Sequence, residues 1–197
     1  MTSALIFTYG AQQIVFYALY AAWLLSEIIG ATLVPRLRFG PRTGVKRDRG
    51  SFYVNIIMII FAISVDFFLS RRGSDLPGFV YYVGIAFMLI GLVLRQWAVA
   101  VLGRFFTLTV RVQSDHKIVE AGPYRFVRHP SYTGLLFLMI GISLALQTLE
   151  GFFINLVVFG LVFGYRIYLE EHALLNALGD EYRSYSKRTK RLIPYVL

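Results

Sequence analysis

Two short stretches bring together side chains suited to chemistry. From Ser114 the chain reads S-D-H-K-I-V-E-A-G-P-Y-R-F-V-R-H-P-S-Y-T-G, and further on comes the acidic pair Glu170-Glu171. His129 precedes Pro130, which biases it toward extended geometry, while Pro130 suits the first turn of a helix. A helix starting there would aim free backbone N–H groups and its positive dipole end past Arg128, His129 and Tyr132, an arrangement suited to an anion. Taken alone, R-H-P reads more readily as an interfacial loop with Tyr124 and Tyr132 as aromatic anchors, and the carboxylate pair as a surface salt bridge.

The elements that must position these residues are membrane spans. Of 197 residues 57% are hydrophobic and only 16% charged, against about 25% charged in soluble domains, which argues against a water-soluble globule. The net charge of +9 does not point to nucleic acid, because the basic residues fall between long apolar runs instead of on a soluble face. With no cysteine there is no thiolate nucleophile, iron–sulfur cluster or cysteine zinc site, and with three histidines no metal centre is expected.

Five apolar runs approach the roughly 20 residues needed to cross a bilayer, at about 4–34, 52–69, 79–102, 132–149 and 151–169. The expected fold is therefore an all-α integral membrane bundle of five transmembrane helices forming one domain, 1–197. Only Glu150 separates the last two runs, which reads as a tight helical hairpin. The start lacks the positive region and cleavage site of a signal peptide. Sixteen of the 20 Lys and Arg lie in the loop 35–51, the segment 103–131 and the tail from Glu170. The positive-inside rule then puts these in the cytoplasm and the N-terminus outside. The fifth helix should continue into water through Leu174 and Leu178 to Gly179, with Asp180 capping a short helix that carries Tyr182 and Tyr185 on one face.

Four ionisable residues fall within spans, where a charge costs at least about 2.5 kcal/mol at the helix centre. Asp66 and Arg166 lie near helix ends and are expected to snorkel. Glu27 and Arg95 each lie about 10 Å from the cytoplasmic end of their helices; at matching depth and of opposite charge, they either pair or snorkel independently. Gly160 and Gly164 form a G-x-x-x-G that reads as generic helix packing.

The series L-R-x-W-A at Leu94, L-G-R-F-F at Leu102, D-H-K-I-V at Asp115, G-P-Y at Gly122, R-H-P-S-Y-T-G at Arg128, E-E at Glu170 and G-D-E-Y-x-x-Y followed by R-L-I-P resembles, in order and spacing, the isoprenylcysteine carboxyl methyltransferase family. The resemblance covers about the last hundred residues, a catalytic half of about 94–197. It implies S-adenosylmethionine as cofactor in a cytoplasmic pocket, and methyl transfer to the carboxylate of a prenylated cysteine or similar lipid-like acceptor entering from the bilayer. By motif, His116, Lys117, Ile118, Val119, Gly122, Tyr124, His129, Pro130 and Tyr132 would line the cofactor pocket, with Glu170 and Glu171 closing it. Arg128 would hold the substrate carboxylate, with Arg95 and Trp97 beside the substrate. His172 stands where the family often continues with Glu. A looser similarity connects the same half to phospholipid amine N-methyltransferases and to nicotinamide-binding sterol reductases, and a non-catalytic lipid-binding relative is the remaining alternative. A carboxylate is already ionised at neutral pH, so its methylation needs no strong base, whereas an amine acceptor must lose a proton.

Overall fold

The computed structural model describes residues 10–29, 45–46, 50–72, 76–106, 111–112 and 117–194. Among the described residues, six α-helices carry the fold: α1 (Gly10–Ile28), α2 (Ser51–Ser70), α3 (Phe79–Leu102), α4 (Pro130–Ala145), α5 (Leu149–Leu178) and α6 (Asp180–Arg188). One small departure from an all-helical chain is an antiparallel pair of two-residue strands, β1 (Val45–Lys46) and β2 (Arg111–Val112).

Among the described residues, three helices are long and apolar enough to cross a membrane, over Tyr53–Ser70, Phe79–Leu102 and Leu149–Leu178. Together with the fold likeness reported below, they mark a multi-pass integral membrane protein. The third expected span matches α3 to the residue. The first is described only as Gly10–Ile28, its expected ends 4–9 and 30–34 lying outside the described residues. Much of the basic loop 35–51 and His116 lie outside them too.

The fourth span needs correction. α4 has only 16 residues, and the chain turns at Leu146–Thr148 with Gln147 in the left-handed region at φ 55°. Leu149 and Glu150 therefore open α5 instead of marking the hairpin. An apolar run reads through such a turn because Leu146 and Leu149 on either side of it are themselves hydrophobic. The expected cap is also displaced: Gly179, at φ 55°, ends α5 and precedes α6, whose first residue is Asp180.

Large side chains from α1 to α5 form the core, among them Phe16, Met88, Leu138, Met139, Ile142 and Phe159. Outward-facing positions are apolar as well, with Ile14, Phe79, Val93 and Leu161 all more than 60% exposed. Exposure of that kind suits hydrocarbon contact, since lipid is as apolar as the side chains themselves.

Close helix approach comes from glycines other than those of the G-x-x-x-G. A Cβ built on Gly134 would lie 2.7 Å from the Gly91 carbonyl oxygen, and one on Gly84 would lie 2.2 Å from the Ala145 nitrogen. The backbones of α3 and α4 touch there, as only glycine permits. Gly160 and Gly164, by contrast, have nothing within 4 Å of a built Cβ. Their helix face packs on no other described part of this chain, contrary to the packing role expected of them.

Asp66 and Arg166 also depart from expectation. Asp66 is fully buried and accepts hydrogen bonds from Ser143 Oγ (3.2 Å), Thr148 Oγ1 (3.1 Å) and Asn155 Nδ2 (2.8 Å). It ties α2 to the α4–α5 turn, and a Cβ on Gly151 would overlap its Oδ1 at 1.8 Å. Arg166 is 3% exposed and turns inward to Tyr132 and Glu170. Neither side chain snorkels, because hydrogen-bond partners on neighbouring helices meet it inside the bundle.

Candidate active site

The start of α4 is built as the sequence suggests, then covered. Pro130 occupies the first helical turn with His129 before it. The segment 126–129 pairs with the tail: Val127 forms a parallel bridge with Lys190, and the Arg128 and His129 backbone amides donate to the Lys190 (2.8 Å) and Arg191 (3.0 Å) carbonyls. Thr133 Oγ1 donates to the Leu192 carbonyl at 2.7 Å. The tail thus packs against the helix start where an anion was expected, while the Tyr132 and Thr133 amides turn back to the His129 carbonyl.

Around this start lies a connected polar cluster. Arg128 Nε donates to Glu171 Oε1 at 2.8 Å, and its Nη1 donates to the carbonyls of Ser186 (2.9 Å) and Thr189. His129 sits between the two carboxylates, Nε2 at 3.3 Å from Glu171 Oε1 and Nδ1 at 3.7 Å from Glu170 Oε2. Tyr132 donates to Glu170 and accepts from Arg166 Nε at 2.8 Å, with its ring stacked on His129. Arg191 Nε reaches the far oxygen of Glu171 at 3.1 Å. Glu170 and Glu171 emerge on α5 at the depth of Arg128 and His129, and both carboxylates are matched by cationic or hydroxyl donors.

A cavity of about 140 Å³ opens beside this cluster. Lys117, Ile118 and Val119 form one wall, and Tyr124, Arg128, His129, Tyr132 and Glu170 another. Gly122, Pro130, Glu171, Arg95 and Trp97 do not line it. Glu171 stands behind the wall, holding Arg128. Trp97 instead packs on the Gly122 turn, where a Cβ would lie 3.2 Å from the indole nitrogen. Arg95 and Glu27 do pair: Arg95 Nη2 donates to Glu27 Oε2 at 2.6 Å and its Nε to Glu27 Oε1. Arg95 Nη1 meanwhile holds Ser131 Oγ at 2.8 Å, so this pair is bonded to the cavity wall through Ser131. His172 is exposed and stacks on Tyr168.

Several cavity residues were not anticipated as such. Ala173, Leu174 and Leu178 carry the Glu170 face onward at helical spacing, a signal that was legible as amphipathicity but not as a wall. Phe105 and Phe106 come from the turn after α3, and Tyr182 and Tyr185 from α6. Burial raises the pKa of the Tyr124, Tyr182 and Tyr185 hydroxyls, that of Tyr185 to about 12, so all three remain protonated donors at neutral pH.

The model of the isoprenylcysteine carboxyl methyltransferase family matches residues 84–176, the stretch that contains α4, most of α5 and the R-H-P and E-E motifs. Over that stretch, a little under half of its length, the chain is similar to this family. A probable protein-S-isoprenylcysteine O-methyltransferase of Oryza sativa is 36% identical over 124 residues, covering 60% of this chain and 63% of the relative. A protein-S-isoprenylcysteine O-methyltransferase of Schizosaccharomyces pombe is 34% identical over 136 residues, covering 64% of this chain and 56% of the relative. The chain thus spans somewhat under two thirds of the length of these family members. In fold it is similar to the solved structure of the eukaryotic intramembrane Ras methyltransferase of the family, with a TM-score of 0.63 at 23% identity, over 95% of this chain and 66% of that one.

Proposed function

We propose that this chain is a member of the isoprenylcysteine carboxyl methyltransferase family, a membrane methyltransferase that uses S-adenosylmethionine to esterify the carboxylate of a prenylated cysteine or a similar lipid-like acceptor. The observation that carries the reading is the convergence of separate motifs on one cavity: Lys117–Val119, Tyr124, Arg128-His129, Tyr132 and Glu170 come from distant parts of the chain and share its wall. The similarity to named isoprenylcysteine methyltransferases supports the same chemistry.

The donor set fits such a cofactor. Glu170 suits an ammonium or ribose hydroxyl, Lys117 and His129 suit a carboxylate, and Ile118, Val119, Phe105 and Phe106 suit a flat nucleoside base. When bound, the cofactor supplies an electrophilic methyl group on a sulfonium. The chain has then to align the acceptor oxygen and exclude water, and orientation of that kind supplies about 7–11 kcal/mol. Tyr132 and Arg166 fix the Glu170 carboxylate in place. Arg128 has its Nε and Nη1 donors engaged by Glu171 and two tail carbonyls. In this reading it grips the acceptor carboxylate by exchanging Glu171 for it, which only a forked guanidinium does without releasing the tail. α1 and the short α4 complete five passes, with the N-terminus outside and the cavity on the cytoplasmic side.

The test is binding and turnover by the purified protein in lipid vesicles, with S-adenosylhomocysteine as binding probe and NADPH as control. Saturable binding of the first alone, with base-labile methyl esters formed on a farnesylcysteine acceptor, is expected. Methylation of phosphatidylethanolamine instead would replace the carboxyl reading, and binding of NADPH alone would overturn the methyltransferase reading.

A further inference from the structure

Tyr182 holds a buried hydroxyl that the fold does not use. The residue is 5% exposed, its hydroxyl is shut off from solvent, and it has no hydrogen-bond partner among the described residues. Its neighbour on the same face of α6 behaves differently: Tyr185 donates to the Tyr124 carbonyl at 2.8 Å. Both residues line the cavity. An unsatisfied buried hydroxyl costs about 1–3 kcal/mol, and native proteins rarely leave one without a reason.

We propose that Tyr182 is a cofactor-binding residue, its hydroxyl donating to an acceptor atom of the nucleoside-containing cofactor, so that ligand binding instead of folding satisfies it. This rests on the methyltransferase reading and adds to it a contact from α6, outside the family-matched segment 84–176. Burial and the nearby Glu171 carboxylate both hold the phenol in its protonated form, so it offers a donor and never a charge. Around it stand Glu171, Arg128, Tyr185 and Glu170. The first two are bonded to each other, which leaves the phenol proton for a visitor.

The assignment makes two readouts move in opposite directions. In the unliganded protein Tyr182→Phe removes a polar atom that no described residue pairs, so the thermal midpoint should hold or rise. Affinity for S-adenosylhomocysteine, measured by titration calorimetry in detergent, should fall about tenfold, the loss of one hydrogen bond. Tyr185→Phe is the calibrating case, because it breaks a bond within the fold and should lower the midpoint. Equal affinity of Tyr182→Phe and the unaltered protein overturns the proposal, as does a midpoint that falls in Tyr182→Phe as it does in Tyr185→Phe. If the unaltered protein fails to bind S-adenosylhomocysteine at all, the methyltransferase reading falls and this assignment falls with it.

Discussion

The two ends of α4 and α5 each bury a polar cluster, about 18 Å apart from Ser131 to Ser143 at 1.5 Å per residue. At one end Arg128, His129, Tyr132, Arg166, Glu170 and Glu171 border a cavity. At the other, Asp66, Ser143, Thr148 and Asn155 bond directly to one another. Burial and polarity are alike, but among the described residues the cavity lies against the first cluster and none of Asp66, Ser143, Thr148 and Asn155 lines it. In a membrane protein a buried charge is a functional-site candidate by default, yet Asp66 shows the same chemistry used to staple three elements together. The presence of a cavity, rather than the presence of charge, separates the two.

The comparison breaks most visibly at Arg128. Arg128→Ala strips Glu171 of one of its partly buried partners and releases two tail carbonyls. Three bonds are lost at once, at about 1.5–3 kcal/mol for a hydrogen bond to a charged group, so turnover and S-adenosylhomocysteine binding should disappear together with a large fall in thermal midpoint. A variant with the midpoint preserved and binding intact would mean that the tail and Glu171 do not depend on this guanidinium.

Asp66→Ala should separate stability from the site. It removes the acceptor shared by three buried donors, each of which keeps a backbone carbonyl, that of Met139 or Ser143, and at about 1–3 kcal/mol in total it should lower the midpoint while leaving S-adenosylhomocysteine affinity within twofold. A tenfold loss of affinity would show that the two ends act as one unit and that the distinction drawn between them is false.

Much of the site end was legible beforehand, and little of the staple end. The cavity residues sit in motifs whose spacing is characteristic, and Glu170, Leu174 and Leu178 follow a helical period. The Asp66 cluster is spread over α2, the α4–α5 turn and α5, and each member alone is an ordinary polar residue near a span end. Its partners become visible only once the turn at Gln147 brings Ser143, Thr148 and Asn155 around the carboxylate. The exact positions of Arg128 and Glu171 were hidden for a related reason: the tail that occupies them contributes backbone carbonyls, and any sequence has those.

The glycines show the same limit at smaller energies. Gly134→Ala pushes a Cβ to 2.7 Å from the Gly91 carbonyl and 2.8 Å from the Arg95 backbone nitrogen, neither of which can swing aside as a flexible side chain would. Overpacking of that kind costs about 1–3 kcal/mol, and because Arg95 holds Ser131 at the cavity rim, cofactor affinity should fall with the midpoint.

Gly160→Ala is the contrasting case and the smallest effect. The position belongs to the G-x-x-x-G of the fifth apolar run, but open space surrounds its built Cβ, and Ala also favours helix over Gly by about 0.8–1.0 kcal/mol in aqueous hosts. Its midpoint should therefore stay within about 0.5 kcal/mol of the unaltered protein or rise slightly, with cofactor affinity unchanged. A clear destabilisation would mean that something outside the described chain packs against this face of α5. Motif spacing would then have reported a real contact, one that the fold of the single chain does not contain.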